Sequence, residues 1–314
     1  MTHYQTDHAF TGDVKGGALE PTFSGALSFM RRKFTRHLSD VDVAVWGVPF
    51  DCATSNRPGA RFGPQAIRRA SAIFDGDPQY PSSKDPFKNL AVIDWGDCVI
   101  DHARPQSAQN TITQFANQIL SSGVQLITLG GDHAITLPLL RAHVRKHGPL
   151  ALVQFDAHQD TWDAGPEGFS HGSFVKEAVG EGLIDVAHSL QIGIRTIAPE
   201  TCGLEIIDAY HCQEIGVSGM VEAIRKRVGS KPAYLTIDID VLDPAFAPGT
   251  GTPVSGGLSS AQLLMTLNKI TDLDFRGMDI VEMAPAYDHA DITAIAASTV
   301  VQHYLQGLAE KKQK

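Results

Sequence analysis

Short apolar runs recur along the chain and alternate with stretches of helical periodicity. The runs fall at 41–46, 91–95, 124–129, 150–155, 189–194, 204–208, 233–239 and 276–281, each bounded by polar or turn-forming residues, so the pattern predicts eight β-strands separated by helices. LALVQF and DVAVWG are almost continuously apolar. Such runs predict strands covered on both faces, as in a parallel sheet packed between helical layers. Alternation of this kind builds βαβ units in one compact domain, but it does not separate an open three-layer sheet from a closed eight-stranded barrel. Residues 1–25 carry no periodicity and read as an irregular arm, which leaves 26–314 as a single domain ending in a solvated KKQK tail.

Capping residues mark some of the helices. Thr136 is placed to cap a helix that carries Pro138 in its first turn and runs to Gly148. Ser259 and Ser260 stand in the same relation to AQLLMTLNKI. On the Thr136 helix His143 and His147 are four residues apart, but no acid accompanies them, and they read as surface residues.

Composition narrows the partners. Lys and Arg number 26 against 35 Asp and Glu, a net charge of −9, which argues against nucleic acid or an anionic membrane and suits a small cationic ligand. The four cysteines form no C-x-x-C pair and no dense framework, so reduced thiols are expected. MTHYQTDHAFTGDVKGG has no apolar core of the signal-peptide kind, and no run approaches the roughly 20 apolar residues that span a bilayer. A soluble, cytoplasmic protein is the expectation.

The chemistry concentrates at the ends of three apolar runs. Asp156, His158 and Asp160 follow LALVQF in period two, so an extended chain would point all three to one side, at a strand's carboxyl end where open α/β sheets bind ligands. Asp238 and Asp240 repeat the spacing after AYLTI, and two carboxylates on one face repel unless a cation lies between them. His133 emerges from a Gly130-Gly131 break just before the Thr136 helix. Any one of these residues could be an ordinary solvated or structural group. Together they supply two imidazoles and four carboxylates, a hard donor set that suits Mn²⁺, with Mg²⁺, Co²⁺ or Ni²⁺ as alternatives, better than a structural zinc.

GGDHAITLP, FDAHQDTW, SHGSF, LTIDIDVLDPAFAPGTGTP and GMDIVEMAPAYD, in that order, resemble the ureohydrolase (arginase/agmatinase) family over roughly residues 40–305, and the agmatinase branch most. The resemblance implies an arginase-like fold, a three-layer α/β/α sandwich around a parallel eight-stranded sheet. It implies a pair of Mn²⁺ ions that ionise a shared water, one held by His133, Asp156, Asp160 and Asp238, the other by Asp156, His158, Asp238 and Asp240. It assigns Glu282 to pair with the guanidinium of the substrate and His171 to carry a proton to the leaving amine. By residue type alone His171 would be a loop residue and Glu282 a salt-bridge partner. Homo-oligomers, trimers or hexamers, are also implied. Arg61 and Gly63 resemble a loop near the family's entrance, although a basic residue before a helix is usually paired structurally, and PGTGTP is expected to shape the rim through its turns.

The stretch TWDAGPEGFS corresponds to the family's substrate-tail segment. Where arginases carry Asn for the amino-acid carboxylate, this chain has Trp162, which counts against arginine. Agmatine fits an apolar wall with Asp163 or Glu167 near its ammonium, although both acids could be surface groups; the products would be putrescine, a polyamine, and urea. Guanidinobutyrate, guanidinopropionate and free guanidine are the alternative substrates. A catalytically silent metal-binding protein is the rival from another class.

Overall fold

The nearly unbroken apolar runs become the middle layer of the molecule. The computed structural model describes residues 7–17, 20–74, 78–82, 84–165 and 169–313. Among them the strands are β1 (Lys33–Phe34), β2 (Val43–Val48), β3 (Val92–Asp97), β4 (Gln125–Gly130), β5 (Ala151–Phe155), β6 (Leu190–Ile194), β7 (Glu205–Asp208), β8 (Ala233–Asp238) and β9 (Phe275–Val281). They form one open sheet in the order β1-β3-β2-β4-β9-β8-β5-β6-β7, with every neighbouring pair parallel, so the barrel alternative falls away. The eight expected strands are present. A ninth, β1, was not expected: it pairs only Lys33 with Ile93 and Phe34 with Asp94, too few residues to leave a period in the sequence.

Eight α-helices accompany the sheet among the described residues: α1 (His8–Thr11), α2 (Gly63–Ala70), α3 (Ala108–Ser121), α4 (Thr136–His147), α5 (Phe174–Gly180), α6 (Ala209–Val228), α7 (Ser260–Ile270) and α8 (Ile292–Gln313). Alternate strand residues feed two cores. Val43 and Val45 of β2, with Ala151, Val153 and Phe155 of β5, pack with α2, α6, α7 and α8. Ala44, Trp46, Val48 and Leu152 point the other way, onto α3, α4 and α5. Each fully buried Val, Leu or Ile contributes about 1.5–3 kcal/mol, which is why strands apolar on both faces settle between two helical layers. The stretch expected to be an irregular arm contains the single turn α1, and Val14 O accepts a hydrogen bond from Val92 N at 3.0 Å.

Helix starts follow the local chemistry in one case and not in another. Ser259 caps α7 through a reciprocal pair with Gln262, as its position suggested. Thr136 does not cap α4. A 3₁₀ turn, His133–Ile135, precedes the helix, Asp132 caps that turn, and the Thr136 hydroxyl donates instead to Asp279 Oδ2 at 2.9 Å.

His143 is also not a surface residue. It is wholly buried, Nδ1 lies 2.8 Å from Leu139 O, and Nε2 sits where a Cβ on residue 277 would be 2.3 Å away, so Gly277 on β9 makes its space. Burial pulls its pKa down from 6.5 to about 4. Because the folded value lies below the unfolded one, its stabilising contribution is complete above pH 6.5 and shrinks as pH falls, by about 3 kcal/mol at pH 4. Urea unfolding at pH 7.5 and 4.5 should show wild type losing ground to His143→Gln on acidification; parallel curves would contradict this.

The topology determines where the chemistry gathers. After β4 the chain crosses to β5 and leaves a gap that β8 and β9 fill later, so the carboxyl ends of β4, β9, β8 and β5 lie side by side. That reversal of strand order is where open α/β sheets form a crevice.

Candidate functional site

Four loops leave those four strand ends, and each delivers part of one cluster. After β4, Gly130 and Gly131 let backbones approach: a Cβ on Gly131 would stand 1.9 Å from Phe50 O, and one on Gly130 2.5 Å from Val281 Cγ1. These glycines are needed for close packing rather than for an unusual turn. Past them, Asp132 accepts from Ala134 N at 3.2 Å and Ala53 N at 2.9 Å, and His133 points inward, 1% exposed.

The acids after β5 and β8 converge by a different route from the expected extended chain. β5 ends at Phe155 and β8 at Asp238. Asp156 Oδ1 then accepts its own loop's His158 N–H at 2.6 Å, and Asp238 Oδ1 accepts Asp240 N–H at 2.8 Å. Asp160 is in the left-handed region at φ 51°. Tight turns closed by the aspartates themselves bring the donors together, in place of the extended chain that period two implied.

His133 Nδ1 lies 3.1 Å from Asp156 Oδ2, 2.9 Å from Asp160 Oδ2 and 3.3 Å from Asp238 Oδ2. His158 Nδ1 lies 3.1 Å from Asp240 Oδ2 and 3.5 Å from Asp156 Oδ1. Two groups result, His133 with Asp156 and Asp238, and Asp156 with His158 and Asp240, the donor atoms of each lying within 4.8 Å of one another. Asp156 belongs to both. Asp238 joins the first, its other oxygen engaged by the Asp240 amide.

These donors fit cations. His133 Nδ1 and Asp160 Oδ2 are buried and aligned with no hydrogen-bond partner, although only 2.9 Å apart. Burial and the neighbouring Asp240 and Asp156 push the Asp238 pKa well up, and burial with Asp156 raises Asp160 to about 7. Burial works against a charge on His158, yet Asp240 and Asp156 lift it to about 12; His133 is lifted likewise by Asp156, Asp160 and Asp238 against its burial. In the isolated chain, protons supply the positive charge. Divalent cations would displace those protons, leaving the four aspartates ionised and both imidazoles neutral as donors.

A layer behind His133 selects which nitrogen faces the site. Thr236 has one hydroxyl hydrogen, and it goes to Asp279 Oδ1 at 2.5 Å, so Thr236 Oγ1 accepts from His133 Nε2–H at 2.8 Å and Nδ1 is the nitrogen whose lone pair a cation would take once its proton is displaced. Thr136 and Tyr234 also donate to Asp279, both at 2.9 Å. Thr236→Val or Asp279→Asn should weaken divalent-metal binding 10–100-fold, measured by competition with a chelating dye. Equal affinity in wild type and both variants would deny this layer any influence.

Beside the donors, His171 Nδ1 lies 2.9 Å from Glu282 Oε1, which also accepts His133 N–H at 2.8 Å. Glu282 Oε2 is buried and has no hydrogen-bond partner among the described residues. Burial lowers the His171 pKa, but Glu282 outweighs it and the value rises to about 9. His133, His158, Asp160, Asp238 and His171 line a cavity of about 270 Å³ together with Ser55, Trp162, Ser170, Gly172 and Thr252. Trp162 is thus on the wall.

Asp163 is not. Its side chain is 86% exposed and pairs with Lys176 Nζ at 2.7 Å, and Glu167 lies outside the described residues. Arg61 pairs with Asp51, as a residue of its kind before a helix commonly does. In 248–253, Thr252 reaches the cavity and donates to Asp240 Oδ2 at 3.2 Å.

Ser55, Asp132, Thr236 and Asp279 were not singled out from the sequence. Asp279 had a signal, an acid inside the apolar run MDIV; Ser55, in a polar loop, had none.

Residues 41–306 match the family model of the arginase family. An agmatinase of Chromobacterium violaceum is 48% identical over 299 residues, 95% of this chain and 93% of that protein. A Neisseria meningitidis agmatinase is 48% identical over 90% of this chain and 94% of its own. Among solved structures, a hypothetical agmatinase from Burkholderia thailandensis superposes with a TM-score of 0.96 at 50% identity, covering 98% of this chain and 99% of that one. The proclavaminate amidino hydrolase of Streptomyces clavuligerus gives 0.88 at 38%, covering 92% and 99%.

Proposed function

From the premise that this chain belongs to the arginase family, we propose that it hydrolyses agmatine to putrescine and urea at the cluster between β4 and β5. His133, Asp156, Asp160, Asp238, Asp240 and His158 would hold two Mn²⁺ ions, the hard donor set favouring Mn²⁺ over softer metals. One observation carries the reading beyond metal binding: Glu282 Oε2, buried next to these donors and unpartnered among the described residues, offers a carboxylate oxygen to a cation. Agmatinases among the relatives support agmatine as that cation's source.

Bound there, two divalent ions would supply an activated water at neutral pH. The chain's own residues do the rest. Glu282 receives guanidinium N–H groups and holds the planar cation in one orientation, while its other oxygen stays engaged with His133 N and His171 Nδ1. His171, on the cavity wall, holds a proton for the nitrogen that must leave as an amine. Trp162 places a large, mainly apolar ring on the wall where a methylene chain would lie. Because Asp163 is engaged by Lys176, the reading places no weight on it as an ammonium partner.

Urea release by the Mn²⁺-loaded protein over a panel of agmatine, guanidinobutyrate, guanidinopropionate, arginine and guanidine tests this. Agmatine should give the highest kcat/KM. Preference for another member would reassign the substrate, and no urea from any of them would leave a silent metal-binding protein.

A further inference from the structure

His171 has a second neighbour that its proposed role does not yet use. Ser55 N–H donates to His171 Nε2 at 3.1 Å, and Ser55 Oγ lies 2.8 Å from the same nitrogen. With Nδ1 against Glu282 Oε1, the imidazole is bracketed at both ends. An Nε2 that accepts the amide is unprotonated, so the amide contact fits the neutral ring with its hydrogen on Nδ1, the form His171 takes once it has given up its second proton. Protonation at Nε2 removes the lone pair that the amide was using. Ser55 Oγ is then the acceptor within reach.

The loop that carries Ser55 is pinned on both sides. Ala53 N donates to Asp132 Oδ2 at 2.9 Å, His171 N donates to Ala53 O at 3.3 Å, and Asn56 Nδ2 donates to Gly251 O at 2.9 Å. Ser55 is therefore held at a fixed distance from His171, and it lines the same cavity.

We propose that Ser55 is a proton relay between His171 and the leaving nitrogen, a role that rests on the reading of this chain as a guanidine hydrolase. As the C–N bond breaks, its electron pair stays on nitrogen, which takes the hydrogen of Ser55 Oγ. The serine oxygen takes the hydrogen from His171 Nε2. His171 returns to the neutral ring, Ser55 regains its hydroxyl, and the amine departs with one added proton. The same serine serves both states of the histidine, the amide holding the neutral ring and the hydroxyl receiving the charged one.

The test compares Mn²⁺-loaded wild type, Ser55→Ala and Ser55→Thr on the best guanidine substrate, with metal content and thermal midpoint measured alongside. Because a positioned acid is worth roughly 10²–10⁴ and His171 itself remains, Ser55→Ala should lose about 10–100-fold in kcat, with KM within about twofold and metal content unchanged. Ser55→Thr, which keeps the hydroxyl, should recover most of it. The solvent isotope effect should fall from that of two protons in flight to that of one in Ser55→Ala. Unchanged kcat in Ser55→Ala overturns the relay, as does a Thr variant that binds metal and folds normally but turns over no faster than Ala. If wild type itself releases no urea, the reading of the site fails first, a result distinct from either.

Discussion

Asp156→Asn is expected to reduce bound Mn²⁺ from two per chain to one or none and to cut urea release by on the order of 10³-fold or more. Asp156 is the residue common to both donor groups. Both its oxygens are also fixed from behind: Gln154 Nε2 donates to Oδ2 at 2.7 Å and His158 N to Oδ1 at 2.6 Å. An asparagine must place its NH₂ against one of these donors, so whichever way it turns, one contact becomes repulsive and the loop that presents His158 is disturbed. The missing charge weakens the hold on both cations at once. Metal ions contribute several kcal/mol to hydrolytic steps of this kind, and each 1.4 kcal/mol is a factor of ten in rate. Elemental analysis of the dialysed variant, together with a urea assay across a Mn²⁺ titration, measures both effects. A variant that retains two tightly bound ions and ordinary turnover would contradict the shared role of Asp156.

Glu282→Gln is expected to behave differently: metal content stays at the wild-type level while kcat/KM falls about 10²–10³-fold. Among the described residues, neither metal-type donor group includes Glu282. Its Oε1 is committed to His133 N at 2.8 Å and His171 Nδ1 at 2.9 Å, which leaves Oε2 for the substrate. A glutamine that satisfies the first two donors must turn its NH₂ toward the incoming guanidinium, donor against donor. Loss of a charge-assisted bond, together with the partner left unsatisfied, amounts to roughly 3–4 kcal/mol. The backbone adds a reason for the residue's precision. Glu282 has φ 64°, an uncommon conformation for a residue with a side chain, held by Glu282 N donating to Gly131 O at 2.8 Å. Substitution by Gln preserves that backbone, so the comparison isolates the side chain. Metal loss in this variant comparable to that in Asp156→Asn would remove the distinction between holding ions and holding substrate.

The residues of the cluster were legible because ligand chemistry is written in residue type and order: His133, Asp156, His158, Asp160, Asp238 and Asp240 all reach one crevice. How they reach it was not. Period-two logic treats 156–160 as extended, whereas backbone amides captured by Asp156 and Asp238 wind the chain into turns. Trp162 reached the cavity wall, but its neighbour Asp163 is exposed and pairs with Lys176, thirteen positions on in the first turn of α5. His143 misled because a histidine with no acid nearby in sequence reads as a surface residue, and only the missing side chain of Gly277 reveals the space it fills.

Apolar runs of strand length, repeated along 314 residues and separated by helical stretches, were enough to determine a parallel α/β architecture, though not whether its sheet stays open, because burying both faces of each strand is a local property of its residues. The inventory of imidazoles and carboxylates was likewise present in the chain itself. Tertiary structure alone decided which strand ends became neighbours, which nitrogen of His133 was left bare by Thr236 and Asp279, and that Ser55 meets His171 across 116 positions. Those outcomes depend on distances between residues far apart in sequence, and a hydrogen bond exists only where packing brings donor and acceptor within about 3 Å.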